Sequence, residues 1–163
     1  MTVRPRPAVL GALALAVLLH VLTRTSGVAW LALGSAGALA LPVASLLMRP
    51  RLDALEVRLV LPHRVAAGDR VAVEVVATNL GRGPTPACEW STDHPGLGPL
   101  AATLPALEPG ATVRLPVAAI ADHRGVHPAG PVQLATTAPY GLLRWSVSRA
   151  GAEPALVVHP ATQ

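Results

Sequence analysis

Phenylalanine and lysine are absent from this chain, cysteine and tyrosine occur once each, and aromatic residues make up 2% of it. Each shortage excludes something. Without Phe, a core must be built from Val, Leu and Ala, with Trp90, Tyr140 and Trp145 as its large fillers. Too few aromatics interleave with basic residues to form a stacking platform for single-stranded nucleic acid. One cysteine, Cys88, excludes a disulfide framework within the chain and is compatible with a reducing compartment. No glycine cluster precedes a Lys-Ser/Thr pair or opens a helix, which excludes a phosphate-cradling P-loop.

Acidic residues are missing from the first 51 positions. That stretch holds Arg4, Arg6, Arg24, Arg49 and Arg51, five of the thirteen arginines, while the remainder carries eight Arg against nine Asp and Glu. The net charge of +4 therefore comes from the front of the chain alone. It does not describe a basic surface for nucleic acid. It describes arginines flanking apolar runs, the arrangement that anchors and orients membrane helices.

Two such runs are present, Ala8–Leu22 and Val28–Met48. A spanning helix needs about 20 apolar residues. The second run meets this outright. The first reaches it when Pro7 and Thr23 lie at the interface and Arg24 snorkels. The spacing predicts spans over about 7–24 and 28–48, joined by a tight polar turn at Thr23-Arg24-Thr25-Ser26-Gly27. Residues 1–51 thus read as a tail and a two-helix transmembrane hairpin. The alternative, a cleavable signal peptide followed by one span, shares the basic start, but no convincing small-x-small cleavage site precedes the second run, Leu22–Ser26 being a poor candidate. The hairpin ends carry Arg4, Arg6, Arg49 and Arg51, and the turn carries only Arg24. The positive-inside rule then places both ends, and residues 52–163, in the cytoplasm. Within the spans, Gly34, Gly37 and Ala38 form a small-residue patch for close helix contact. Pro42 kinks the second helix. His20 reads as a neutral side chain within reach of the interface, because neither span offers it an Asp, Glu or Lys partner.

After Pro50 the pattern changes to period two. Leu55–Leu61, Arg70–Ala77 and Ala111–Ala118 alternate apolar with polar, and Val132–Thr137, Leu142–Ser148 and Ala155–His159 are further strand candidates. Alternation gives one buried and one wet face, as in antiparallel strands. Gly- and Pro-bearing turns separate them, including Ala67-Gly68-Asp69, Pro95-Gly96-Leu97-Gly98-Pro99 and Ala129-Gly130-Pro131. Short strands with turns roughly every ten residues predict an antiparallel, immunoglobulin-like β-sandwich over 52–163. Trp90 and Trp145 are expected to pack inside it.

No residue constellation calls for a reaction. His123 and His127 are four apart but lie at a turn entering a strand, where such positions do not converge as on a helix, and a third metal ligand is not evident. Asp93-His94 and Asp122-His123 read as solvated loop pairs without a nucleophile. Ser91, Ser146 and Ser148 lack a nucleophile-elbow setting. The expectation is a chain that is not an enzyme and holds no cofactor or metal.

The order of features nonetheless resembles a known family. A short tail and apolar hairpin are followed by Val65-Ala66-Ala67-Gly68-Asp69-Arg70-Val71-Ala72-Val73 leading to Asn79. Then come Arg124-Gly125, Gly130-Pro131, Pro139-Tyr140-Gly141-Leu142 and an apolar run closing at Leu156-Val157-Val158-His159-Pro160. This resembles the N-terminal half of the bacterial membrane-protein family called domain of unknown function 58, whose members are often encoded beside MoxR-type AAA+ ATPases. The family tends to have an aromatic, Asp and Tyr where this chain has His127, Ala138 and His159. It continues into a von Willebrand A-like domain, whereas this sequence stops at Gln163. The resemblance therefore implies a truncated member, a split gene or a fragment, and metal-dependent partner binding by the A-like domain does not carry over.

The function expected on these grounds is a membrane-anchored, non-enzymatic scaffold or adaptor in the bacterial cell membrane. It presents a cytoplasmic β-sandwich to a protein partner, for which the resemblance suggests a MoxR-type AAA+ ATPase system. The alternative is an envelope protein whose exported sandwich binds cell-wall or surface ligands.

Overall fold

The computed structural model describes residues 1–62, 64–121, 123–151 and 155–160. The chain divides into two units: Thr2–Pro50 with Thr137–Trp145, and Met1 with Arg51–Thr136 and the chain from Ser146 onward.

The first unit is built on two apolar helices. A short strand, β1 (Thr2–Pro5), leads to α1 (Pro7–Ser26). Pro7 stands at the helix start, where its fixed φ suits the helix and its missing N–H costs nothing. The helix ends as the Gly27 N–H donates to the Thr23 carbonyl at 3.1 Å. The polar turn expected over Thr23–Gly27 is thus helical through Ser26. The hydroxyls of Thr23, Thr25 and Ser26 donate to carbonyls three or four residues back, which lets polar residues remain in the last turn of an apolar helix. The second helix, α2 (Trp30–Leu47), contains Pro42 and closes with the Met48 N–H on the Ala44 carbonyl. Both helices are long and apolar enough to cross a membrane.

The other unit is made of β-strands. β2 (Leu55–Val60) and β7 (Thr112–Ile120) pair antiparallel with opposite edges of β4 (Arg70–Asn79). β5 (Cys88–His94) is flanked by antiparallel β6 (Gly98–Leu104) and β9 (Val132–Thr136). A smaller sheet sets β11 (Leu156–His159) parallel to β3 (Arg64–Ala66) and antiparallel to β8 (Gly125–His127). Strand β10 (Leu143–Arg149) begins in the helical unit and ends in this one. The chain is thus two long apolar helices followed by mainly antiparallel sheets.

The period-two pattern becomes burial. In β4, Val71, Val73, Val75 and Ala77 are buried, and in β5 Cys88, Trp90, Thr92 and His94 are. With Leu55, Leu59, Leu100, Leu104, Leu134, Leu156 and Val158 they make a core that contains no Phe. Trp90 and Trp145 are buried, as their size predicts, but Tyr140 is 45% exposed and is not a core filler. Its hydroxyl donates instead to Met48 Sδ at 3.5 Å.

Buried Asn79 closes the end of β4. Its side-chain NH2 donates to the Gly83 and Leu107 carbonyls, each at 2.9 Å, and its Oδ1 accepts the Gly81 N–H at 2.9 Å. Arg149 similarly clamps the 3-10 turn Leu52–Ala54 by donating to the Leu52, Asp53 and Leu55 carbonyls. Asn79 supplies partners to the Gly81 N–H and the Gly83 carbonyl, and adds a second donor to the Leu107 carbonyl, which also accepts the Thr85 N–H.

Candidate membrane-anchoring site

The least exposed positions of α1 are Val9, Ala12, Ala16, Leu19 and Thr23. Those of α2 are Leu31, Ser35, Ala38, Pro42, Ala44 and Ser45. Steps of three and four dominate both sets, so each is one helix face. The two faces meet antiparallel, since the Ser35 hydroxyl donates to the Ala16 carbonyl at 3.0 Å and a Cβ on Gly34 would lie 3.2 Å from Leu19 Cδ1. Small residues dominate this contact, as in helix pairs packed within lipid. Gly37, expected in the patch, has nothing within 4 Å of an added Cβ. The contact falls on Gly34, Ser35 and Ala38, because a helix in this phase turns position 37 away.

The large side chains point the other way. Leu10, Val17, Leu18, Val21, Leu33, Val43, Leu46 and Leu47 are all more than half exposed. A helix pair folded by water does the reverse, burying leucine and showing small or polar residues. In this pair the large apolar side chains face outward and the small ones inward.

The open end of the hairpin holds a second feature. The exposed guanidinium of Arg6, just before α1, donates to the Gly141 carbonyl at 3.2 Å, and its backbone N–H donates to the Leu142 carbonyl at 3.0 Å. The Tyr140 hydroxyl donates to Met48 Sδ, just past α2, at 3.5 Å. Between these contacts the chain makes a tight turn with a cis Ala138–Pro139 peptide and the Gly141 N–H on the Thr137 carbonyl. Gly141 has φ of +70°, which a side chain would strain. Half of the family-like motif, Pro139, Tyr140, Gly141 and Leu142, is therefore built onto the base of the apolar hairpin. The motif is visible in the sequence but its partner is not, because Arg6 and Gly141 are 135 residues apart.

The remaining site residues fall as follows. Arg4 lies in β1 and Arg24 in the last turn of α1, while Arg49 follows α2, and all three are exposed. Arg51 and the exposed Arg124 belong to the strand unit. Gly125 is in β8, and Gly130 and Pro131 lead into β9. A Cβ on Gly130 would sit 2.1 Å from the Asp93 carbonyl oxygen, and the Pro131 carbonyl accepts the Thr92 hydroxyl at 3.0 Å. That pair of the motif is explained by close backbone approach to β5.

No family model and no curated protein matches the sequence. Among solved structures, the chain is similar to the CARDB domain of a Pyrococcus furiosus protein, crystallised with di-metal ions. That likeness has 17% identity over 58% of this chain and 90% of the other, with a TM-score of 0.41.

The loop pairs also take definite places. His94 is not solvated. It is 1% exposed in β5, and its Nδ1 accepts the Gly96 N–H at 3.2 Å. Strand alternation turns Asp93 outward and His94 inward. The His127 ring lies so close to Gly96 that a Cβ there would be 2.6 Å from its Cδ2. His127 Nε2 is 2.7 Å from the His123 carbonyl oxygen, so its ring nitrogen is engaged by backbone. Asp122 lies outside the described residues. Burial pushes the Cys88 thiol up to about 11, the opposite of an activated nucleophile.

Proposed function

We propose that this chain is a membrane-anchored, non-enzymatic scaffold. Its hairpin α1–α2 spans the lipid bilayer, and its strand unit is an immunoglobulin-like β-sandwich presented to a protein partner on the cytoplasmic side. One observation carries the anchor: the inverted helix pair, with Ala16, Ser35 and Ala38 inside and leucine and valine outside. Burying that outer face in lipid is favourable by about 25 cal/mol for each Å² of apolar surface.

The orientation is supported by four arginines at the open end, Arg4, Arg6, Arg49 and Arg51, against Arg24 at the closed end. The sandwich is supported by alternating burial in β4 and β5 and by their antiparallel pairing. The partner, a MoxR-type AAA+ ATPase system, rests on the resemblance of the Pro139-Tyr140-Gly141-Leu142 region and its companions to the domain of unknown function 58 family.

The test is a topology map. A reporter active only in the cytoplasm and another active only after export are fused in turn to the C-terminus and inserted at Gly27–Val28. The expected result is cytoplasmic signal at the C-terminus, exported signal at the insertion, and a protein that resists alkaline extraction from membranes. Exported signal at the C-terminus overturns the orientation and favours an envelope protein that binds surface ligands. Loss into the alkaline supernatant overturns the anchor.

A further inference from the structure

The chain has four aromatic residues, and two of them are left outside. Trp90 and Trp145 are buried, whereas Trp30 is 70% and Tyr140 is 45% exposed. In a core so short of large side chains, this needs a reason. Both exposed aromatics belong to the helical unit. Trp30 is the first residue of α2, and Tyr140 reaches Met48 just beyond its last. They therefore mark opposite ends of an 18-residue helix, a rise of about 27 Å. That is close to the hydrocarbon thickness of a bilayer, about 30 Å. Tyr and Trp favour the two borders of that layer, where a ring is half apolar and its polar atom is wet.

The charge of the unit that carries Tyr140 agrees. Residues Thr2–Pro50 and Thr137–Trp145 include Arg4, Arg6, Arg24, Arg49 and Arg144 and contain no Asp or Glu. Arg6 holds the turn by its carbonyls while its side chain stays exposed. Nothing acidic in this unit repels a phosphate.

We propose that the turn Thr137–Leu142 is a third membrane contact, a headgroup-level anchor in which Tyr140 and Arg6 engage anionic phospholipid at the border opposite Trp30. This rests on the spanning hairpin proposed above. The turn is far in sequence from the helices, so it ties a distant part of the chain back to the bilayer surface.

The experiment measures depth. The full chain carrying Tyr140→Cys, or Leu18→Cys on the outward face of α1, is labelled with an environment-sensitive fluorophore. Buried Cys88 gives little background, and a Cys88→Ser chain is the control. The protein is reconstituted into vesicles of phosphatidylcholine and phosphatidylglycerol with nitroxide lipids carrying the quencher near the headgroup or deep in the chains. The expected result is a label at 140 quenched at least twofold more by the shallow nitroxide, and a label at 18 quenched more by the deep one. Arg6→Gln is expected to halve the gain in quenching at 140 when phosphatidylglycerol is raised from zero to a third of the lipid. Quenching at 18 with none at 140 overturns the anchor and leaves the hairpin standing. Absence of quenching at both positions overturns the hairpin itself. An unchanged response to phosphatidylglycerol in Arg6→Gln removes Arg6 from the anchor.

Discussion

The Ser35 hydroxyl donates across the hairpin to the backbone carbonyl of Ala16 at 3.0 Å, and both residues are buried. The contact requires two small side chains at one crossing. Ala16→Leu or Ser35→Leu inserts extra methylenes there and is expected to cost about 1–3 kcal/mol. Ser35→Ala removes only a hydrogen bond within an apolar setting, expected to cost about 0.6 kcal/mol. Thermal unfolding of the full chain in detergent micelles checks the order. Equal effects from Ser35→Ala and Ser35→Leu would show that close packing is not what holds the pair.

Asn79 makes three side-chain hydrogen bonds at the end of β4 and is fully buried. Asn79→Leu keeps a similar volume but takes the side-chain partner from the Gly81 N–H and the Gly83 carbonyl, while the Leu107 carbonyl keeps the Thr85 N–H at 2.9 Å. A loss of about 2–4 kcal/mol in stability is expected from unsatisfied buried groups, read from the denaturant midpoint at an unchanged slope. A change under about 0.5 kcal/mol would mean that the loop relaxes to water.

Gly130 and Gly37 make a paired test. An added Cβ at Gly130 meets the Asp93 carbonyl oxygen at 2.1 Å, and at Gly37 it meets nothing within 4 Å. Gly130→Ala must move β-strand backbone and is expected to lower stability clearly. Gly37→Ala is expected to be neutral or to stabilise by up to about 1 kcal/mol through helix propensity. The same thermal scan measures both, and the prediction fails if the two substitutions shift the midpoint alike.

Cys88 is the one thiol, and burial raises its pKa from 9.0 to about 11. Between those values the unfolded chain loses the proton while the folded chain keeps it. Fewer protons in the unfolded state mean that stability falls as pH rises through this window. Cys88→Ser should lack this fall, while other titrating groups contribute equally to both chains. At pH 8 the native thiol is expected to react with a maleimide at under a tenth of the denatured rate. Similar rates would show that Cys88 is open to solvent.

Much of the architecture was legible in one dimension, for identifiable reasons. Apolar runs of spanning length mark α1 and α2 directly, since their period hardly matters when most positions are apolar. β2, β4 and β7 were readable because one face is valine and leucine and the other is polar. β5 was not, because its inward face includes Thr92 and His94, which a hydrophobic pattern assigns to water. β6 was hidden behind Gly98 and Pro99, which read as turn but stand at the strand's start. On size alone Tyr140 reads as a core filler, and the turn that carries it shows in the sequence as a motif without its neighbours.

Sequence alone determined the charge asymmetry, the two apolar helices and the strand period. These depend on residue type and near spacing, which the chain carries locally. The tertiary structure decided which face each helix turns inward. It also decided that Asn79 and Arg149 donate to distant carbonyls, and that the turn after Thr137 closes on Arg6 and Met48. Those relations join residues far apart in the chain, and only packing and hydrogen-bond geometry in three dimensions select them.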